Sequence, residues 1–194
     1  MKRRRKMSNE KSGCNVMIDL ETTGVSAGCK VLSIGATTFE EDFTFYSSIH
    51  VASQNSFGLK DNFDTLAWWA KQSPEVRTTA FEGTSPLPIV LADFSSWLMG
   101  TVRDARGAIT VWGNGADFDL PILEAAYIAI GKKKPWGPMQ GRCYRTLKNL
   151  PPLKNIKIEE NPLKHDALQD AIYQARHAVK LLALLDKLAK EGGV

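Results

Sequence analysis

The chain has 194 residues, 43% of them hydrophobic and 24% charged, the profile of a single folded domain without a disorder signature. No apolar run approaches the ~20 residues needed to cross a bilayer, so neither a transmembrane segment nor a membrane partner is expected. Net charge is +4, but Lys2, Arg3, Arg4, Arg5 and Lys6 hold five of the 25 basic residues, and the other 20 face 21 acidic ones.

Residues 1–13 therefore read as a basic tail on a nearly neutral body. A solvated, disordered terminus explains it, and so does electrostatic attraction to phosphate. The tail is followed by polar Ser8-Asn9-Glu10-Lys11-Ser12 where a secretory signal would need an apolar stretch, so a cytoplasmic protein is the expectation. Residues 14–194 are expected to form the one domain. Cys14, Cys29 and Cys143 are odd in number and widely spaced, matching neither a disulfide framework nor a zinc pattern. His50, His165 and His177 are equally scattered.

In chain order, 15–21 alternates Val16, Ile18 and Leu20 with Met17, Asp19 and Glu21 and reads as a strand ended by Thr22-Thr23-Gly24. Strands follow at 31–40 and 43–51, joined by a tight turn at Glu41-Asp42. A helix is expected over 61–71, capped by Asp64 or Thr65, and a second from Ser73-Pro74-Glu75, since proline suits a first turn. A third spans 88–99, closed by Gly100. A short strand at 108–112 breaks at Gly113-Asn114-Gly115, and a helix from Asp119-Leu120-Pro121 runs to about 130. After a basic connection and a proline-rich stretch with one short helix near 143–150, residues 165–190 carry the longest helical pattern. Its apolar stripe is Ala167, Ala171, Ala175, Ala178, Leu182 and Leu185. This order indicates a layered α/β or α+β domain.

Acids stand out against that frame. Asp19 and Glu21, two apart on a strand, project from one face at roughly 6–7 Å between backbones. Two carboxylates so close repel unless a cation or solvent separates them, and hard divalent ions favour such oxygen clusters. An edge strand with a polar outer face explains the pair equally well. Asp119, at a strand-to-helix junction, is either a helix cap or a further ligand, and spacing alone does not choose between it and Asp117. In His165-Asp166-Ala167-Leu168-Gln169-Asp170, Asp170 falls in the first turns of the last helix, Asp166 can cap it, and His165 has a side chain suited to taking a proton near neutrality.

Taken together, these segments resemble the DEDDh branch of the 3′→5′ exonuclease superfamily. Ile18-Asp19-Leu20-Glu21-Thr22-Thr23-Gly24 fits its DxETTG motif, Phe118-Asp119 its second motif, and His165 to Asp170 its HxAxxD motif. The Phe-Asp pair selects Asp119 over Asp117. Trp68-Trp69-Ala70-Lys71-Gln72-Ser73-Pro74-Glu75 and the 112–123 segment are most similar to the phage exonuclease A and mycobacterial exoribonuclease types. One departure is Gly115, where many members carry Asn; Asn114 lies one place earlier.

The resemblance implies a ribonuclease-H-like fold, a central mixed β-sheet flanked by helices. It implies hydrolysis of the terminal phosphodiester of single-stranded DNA or RNA at its 3′ end, releasing nucleoside 5′-monophosphates. Two divalent cations, Mg²⁺ or Mn²⁺, would be held by Asp19, Glu21, Asp119 and Asp170, with His165 as general base. Thr22, Thr23, Trp68 and Trp69 would meet the terminal nucleotide, though two adjacent tryptophans on a helix cannot both point at it. Arg142, Arg145 and Lys132 to Lys134 are candidates for phosphate contact or plain surface charge. Homodimers are common in the family. Two other readings are a catalytically inactive nucleic-acid-binding module of the same fold and an actin-like ATPase, which would leave His165 to Asp170 unused.

Overall fold

The computed structural model describes residues 14–105, 108–163 and 165–192, so the basic tail lies outside the described residues. Strand β1 (Cys14–Thr22) is followed by β2 (Val31–Thr38) and β3 (Thr44–Ser48), then a 3₁₀ helix (Val51–Phe57). Helices α1 (Phe63–Trp69), α2 (Pro74–Phe81) and α3 (Leu87–Ala105) lead to β4 (Ile109–Gly113) and α4 (Asp119–Ala129). Strand β5 (Gly141–Cys143), α5 (Tyr144–Lys148) and the long α6 (Ala167–Glu191) complete the chain.

The strands form one mixed sheet in the order β3-β2-β1-β4-β5. β1 runs antiparallel to β2 and parallel to β4, and β4 runs parallel to β5. The strand carrying Asp19 and Glu21 is therefore central, which removes the edge-strand explanation of that acid pair.

The alternation in β1 divides two cores. Val16, Ile18 and Leu20 are buried with Val90, Leu91 and Phe94 of α3 and Ile122, Leu123 and Ala126 of α4. Met17 faces the other way, into a core with Trp112, Tyr144, Leu147, Ala171, Ala175 and Ala178. Asp19 and Glu21 share Met17's face, which is the face that α6 covers.

Several expectations need correction. α1 is capped by Asn62, whose side chain accepts from the Thr65 N–H at 3.0 Å, rather than by Asp64 or Thr65. α3 passes through Gly100 to Ala105; a helical glycine costs about 1 kcal/mol without forcing a stop. The 3₁₀ helix and three-residue β5 carry no periodicity long enough to be read. α6 starts at Ala167, capped by Asp166, which accepts from the Gln169 N–H at 2.8 Å. His165 lies outside the helix with φ +64°, a left-handed conformation unusual for a side-chain-bearing residue.

One glycine fixes how α6 meets the sheet. Gly35 of β2 pairs directly with Asp19 of β1, so the two share a face. A Cβ on Gly35 would lie 2.1 Å from the Ala167 carbonyl carbon and 2.2 Å from the Leu168 nitrogen. With no side chain there, the first turn of α6 rests on the sheet backbone beside Asp19, and Ala171 and Ala175 continue the close approach.

Gly35→Ala must push α6 off the sheet, because the obstructing atoms are backbone. The expected cost is at least about 3 kcal/mol, a fall in melting temperature of roughly 6–12 °C. An unaltered melting temperature would show that the helix does not depend on this approach.

Candidate active site

The site forms where β1 ends beneath the first turns of α6. Asp19 and Glu21 rise from β1, and Asp170 descends from α6 one turn after its cap. Oxygen atoms of these three carboxylates lie within 4.8 Å of one another. Three hard oxygen donors at that spacing fit a divalent cation such as Mg²⁺ or Mn²⁺.

Electrostatics favour the same fit. Burial holds the Asp19 carboxyl well above the usual range, reinforced by Asp119, Glu21 and Asp170 and opposed by a hydrogen bond from Gln174. Glu21 is pushed up to about 8, first by burial, then by the charges of Asp170, Asp166 and Asp119. Without positive charge between them, these groups hold protons that a free carboxylate would release. A cation removes both the repulsion and the need for those protons.

Asp119 stands next to this trio with a different set of bonds. It is fully buried at the start of α4. Its Oδ1 accepts the Leu20 N–H at 3.2 Å and its Oδ2 accepts the Asn114 N–H at 2.6 Å. The local pairing explains why: β4 pairs with β1 only as far as Met17–Trp112, so the Leu20 N–H has no strand partner on that side. Asp119 fills the gap, at a point where a Cβ on Gly113 would come within 3.0 Å of it. Its pKa is raised to about 6 by burial, moderated by those backbone donors.

Two amide side chains orient the cluster. The Gln174 Nε2–H donates to Asp19 Oδ1 at 2.7 Å, and the Asn161 Nδ2–H donates to Asp170 Oδ1 at 2.7 Å. Neither residue was singled out in the sequence. Gln174 had a readable signal, since it lies one helical turn beyond Asp170 and so shares its face. Asn161 had none, because it reaches the site from a loop.

On the opposite flank are the two tryptophans and His165. Trp69 is 2% exposed, and its indole N–H donates to the Thr22 carbonyl at 2.9 Å. It therefore supports the end of β1 from within the core and presents no face to a ligand, contrary to a substrate-contacting role. Trp68 is 41% exposed. The His165 ring packs edge-on against both, with centroids 4.9 Å from Trp68 and 6.1 Å from Trp69.

Thr22 and Thr23 are buried, and the Thr22 hydroxyl donates to the Gly24 carbonyl at 2.6 Å. The Thr23 hydroxyl has no partner among the described residues. Of the basic candidates, Lys134 pairs with Glu124 at 2.6 Å, and the Arg142 guanidinium donates to the Met139 and Gly141 carbonyls. Arg145 lies beside Gly115 and its charge acts on Asp119. Among the described residues no helix is long and apolar enough to cross a membrane.

Two solved structures share this architecture. The nuclease domain of 3′hExo, a DEDDh family member bound to rAMP, superposes with a TM-score of 0.57 at 12% identity, covering 88% of this chain and 92% of that one. Cell-death related nuclease 4 (CRN-4) gives a TM-score of 0.50 at 13% identity, covering 88% of this chain and 64% of that one. At such identities the likeness establishes the fold, and it bears out the ribonuclease-H-like, mixed-sheet expectation. No curated protein sequence matches the chain. A sequence model of the Rv2179c-like 3′-5′ exoribonuclease domain matches residues 14–182, which span the whole sheet and all the candidate site residues. The chain belongs to the Rv2179c-like 3′-5′ exoribonuclease domain family.

Proposed function

We propose that this protein removes nucleotides from the 3′ end of single-stranded RNA, hydrolysing the terminal phosphodiester to release nucleoside 5′-monophosphates. The observation that carries the reading is the cluster of Asp19, Glu21 and Asp170 under α6, in a chain of this exonuclease family. RNA is favoured over DNA by the family's exoribonuclease description.

Asp19, Glu21 and Asp170 would hold two divalent cations, Mg²⁺ or Mn²⁺. Bound there, such ions supply Lewis-acid activation of water and neutralise charge on the departing 3′-oxygen. Asp119 keeps one lone pair on each oxygen after accepting its two backbone N–H groups, and can accept from water at the edge of the site. Gln174 and Asn161 each donate to one oxygen of Asp19 and Asp170, and the second oxygen of each has no hydrogen-bond donor among the described residues.

His165 takes the proton of the attacking water, a role suited to an imidazole near neutral pH. Its left-handed backbone is costly and is held by contact with Trp68 and Trp69. The open face of Trp68 receives the terminal base, a contact worth ~1–3 kcal/mol. Thr23 is fully buried, so its hydroxyl lies beneath the site and does not face that nucleotide.

Asp170→Ala should abolish metal-dependent shortening of 5′-labelled RNA while leaving the fold intact by circular dichroism. Full activity in that variant would remove Asp170 from the chemistry. His165→Ala should lower kcat by about 10²–10⁴-fold with little change in KM, and an unaltered kcat would exclude the general-base role. Wild-type protein that binds RNA in EDTA and shortens it with neither Mg²⁺ nor Mn²⁺ would establish the binding module.

The raised carboxyls also predict a pH-dependent stability. Without a cation, Glu21 titrates near 8 in the folded protein against 4.5 ordinarily, so stability is full at low pH and is lost as pH rises towards 8. The melting temperature in EDTA should fall between pH 6 and pH 8.5 by ~5 °C or more. Mn²⁺ should abolish most of that fall. Equal slopes with and without Mn²⁺ would mean that the ion does not bind these groups.

A further inference from the structure

On the side of Asp170 away from Trp68 lies a cleft of about 600 Å³, a volume typical of ligand sites. One wall is the α6 face of Asp170, Tyr173, Gln174 and His177; the other is α5 and the loop from 154 to 161. The loop is tied to α6 along its length. Asn161 donates to Asp170, the His177 Nε2–H donates to the Ile156 carbonyl at 3.0 Å, and Lys180 pairs with Glu159. The Tyr144 hydroxyl holds the other nitrogen of His177 at 2.7 Å. The cleft is therefore a built feature that opens directly onto the carboxylate cluster.

Its chemistry is that of a polyanion path. Lys148, Lys154 and Lys157 line it. Of the acids around it, Glu159 is paired with Lys180 and Asp170 belongs to the proposed cation site, which leaves Glu160. Lys148 is half-buried over the Tyr144 ring, 5.0 Å from its centroid. Burial, and then the Arg145 charge, depress its pKa, so an anion here would favour the charged form of Lys148. Two amide oxygens at the cleft wall, Asn114 Oδ1 and Gln174 Oε1, are buried with no donor among the described residues. Gln174 is only 6% exposed, so its orphaned oxygen calls for a ligand donor or an ordered water. A nucleic-acid strand offers both complements, phosphates for the lysines and hydroxyl or base N–H groups for the amides.

From this juxtaposition we infer that the α5–α6 cleft carries the part of the strand 5′ to the scissile phosphate, with Lys148, Lys154 and Lys157 on its phosphates. The inference rests on the exonuclease reading, which seats the terminal nucleotide on the Trp68 flank; the rest of the strand then leaves across Asp170 into the cleft. The enzyme senses substrate length here, where a dinucleotide leaves the lysines empty and a longer strand fills them.

The test uses the exposed pair, Lys154→Gln with Lys157→Gln, against a charge-matched control, Lys187→Gln with Lys190→Gln, near the far end of α6. The measured quantity is kcat/KM on RNA of two to twelve nucleotides at several KCl concentrations, with melting temperatures to confirm folding. Wild type and control should gain with length. The cleft pair should lose about tenfold on the longest strands relative to the shortest, with a log–log salt slope shallower by about 1.4. Length and salt dependence matching wild type would overturn the strand path, as would equal losses in both pairs. Wild type that shortens no strand would overturn the exonuclease reading itself, a distinct result.

Discussion

The contact between the first turn of α6 and the bare backbone at Gly35 sets the geometry of everything around it. Asp19 stands directly across the ladder from Gly35, and Asp170 lies one turn into the helix that rests there. A side chain at position 35 would hold the helix away and separate the carboxylates. Ala167, Ala171 and Ala175 repeat the logic along the helix, keeping its axis close to β1 and β2. The cluster thus rests on an absence of side-chain volume, and close packing is what makes it rigid.

Close approach carries an electrostatic cost. Burial, and then the neighbouring carboxylates, raises the pKa values of Asp19 and Glu21, so either protons or a divalent cation would relieve the repulsion. Asp119 shows a complementary economy: it closes the ladder where β4 diverges from β1 while adding charge to the same neighbourhood. The amides of Gln174 and Asn161 then fix which oxygens remain open. On one flank two tryptophans hold His165 in an otherwise unfavourable backbone conformation, and on the other a lysine-lined cleft leads away.

Much of this was legible in the sequence. Period-two alternation located β1 and put its acids on the face opposite Val16, Ile18 and Leu20, and the alanine stripe of 167–178 located the buried face of α6. The family resemblance named Asp19, Glu21, Asp119 and Asp170 as one set; the first, second and fourth form a single carboxylate cluster, and Asp119 stands beside it on two backbone N–H groups. What stayed hidden was non-local. The register that sets Gly35 opposite Asp19, and the loop that brings Asn161 to Asp170, have no sequence period. The Trp68-Trp69 ambiguity was resolved only by the Thr22 carbonyl that claims the Trp69 N–H. β5 escaped notice because three residues cannot display an alternation.

Together β1 and α6 offer a site for a divalent cation. Anomalous diffraction from crystals soaked in Mn²⁺ tests it most directly. Anomalous density is expected among the Asp19, Glu21 and Asp170 carboxylates, displaced when Asp170 is replaced by Ala. Strong Mn²⁺ density elsewhere, with none at these three residues, would contradict it.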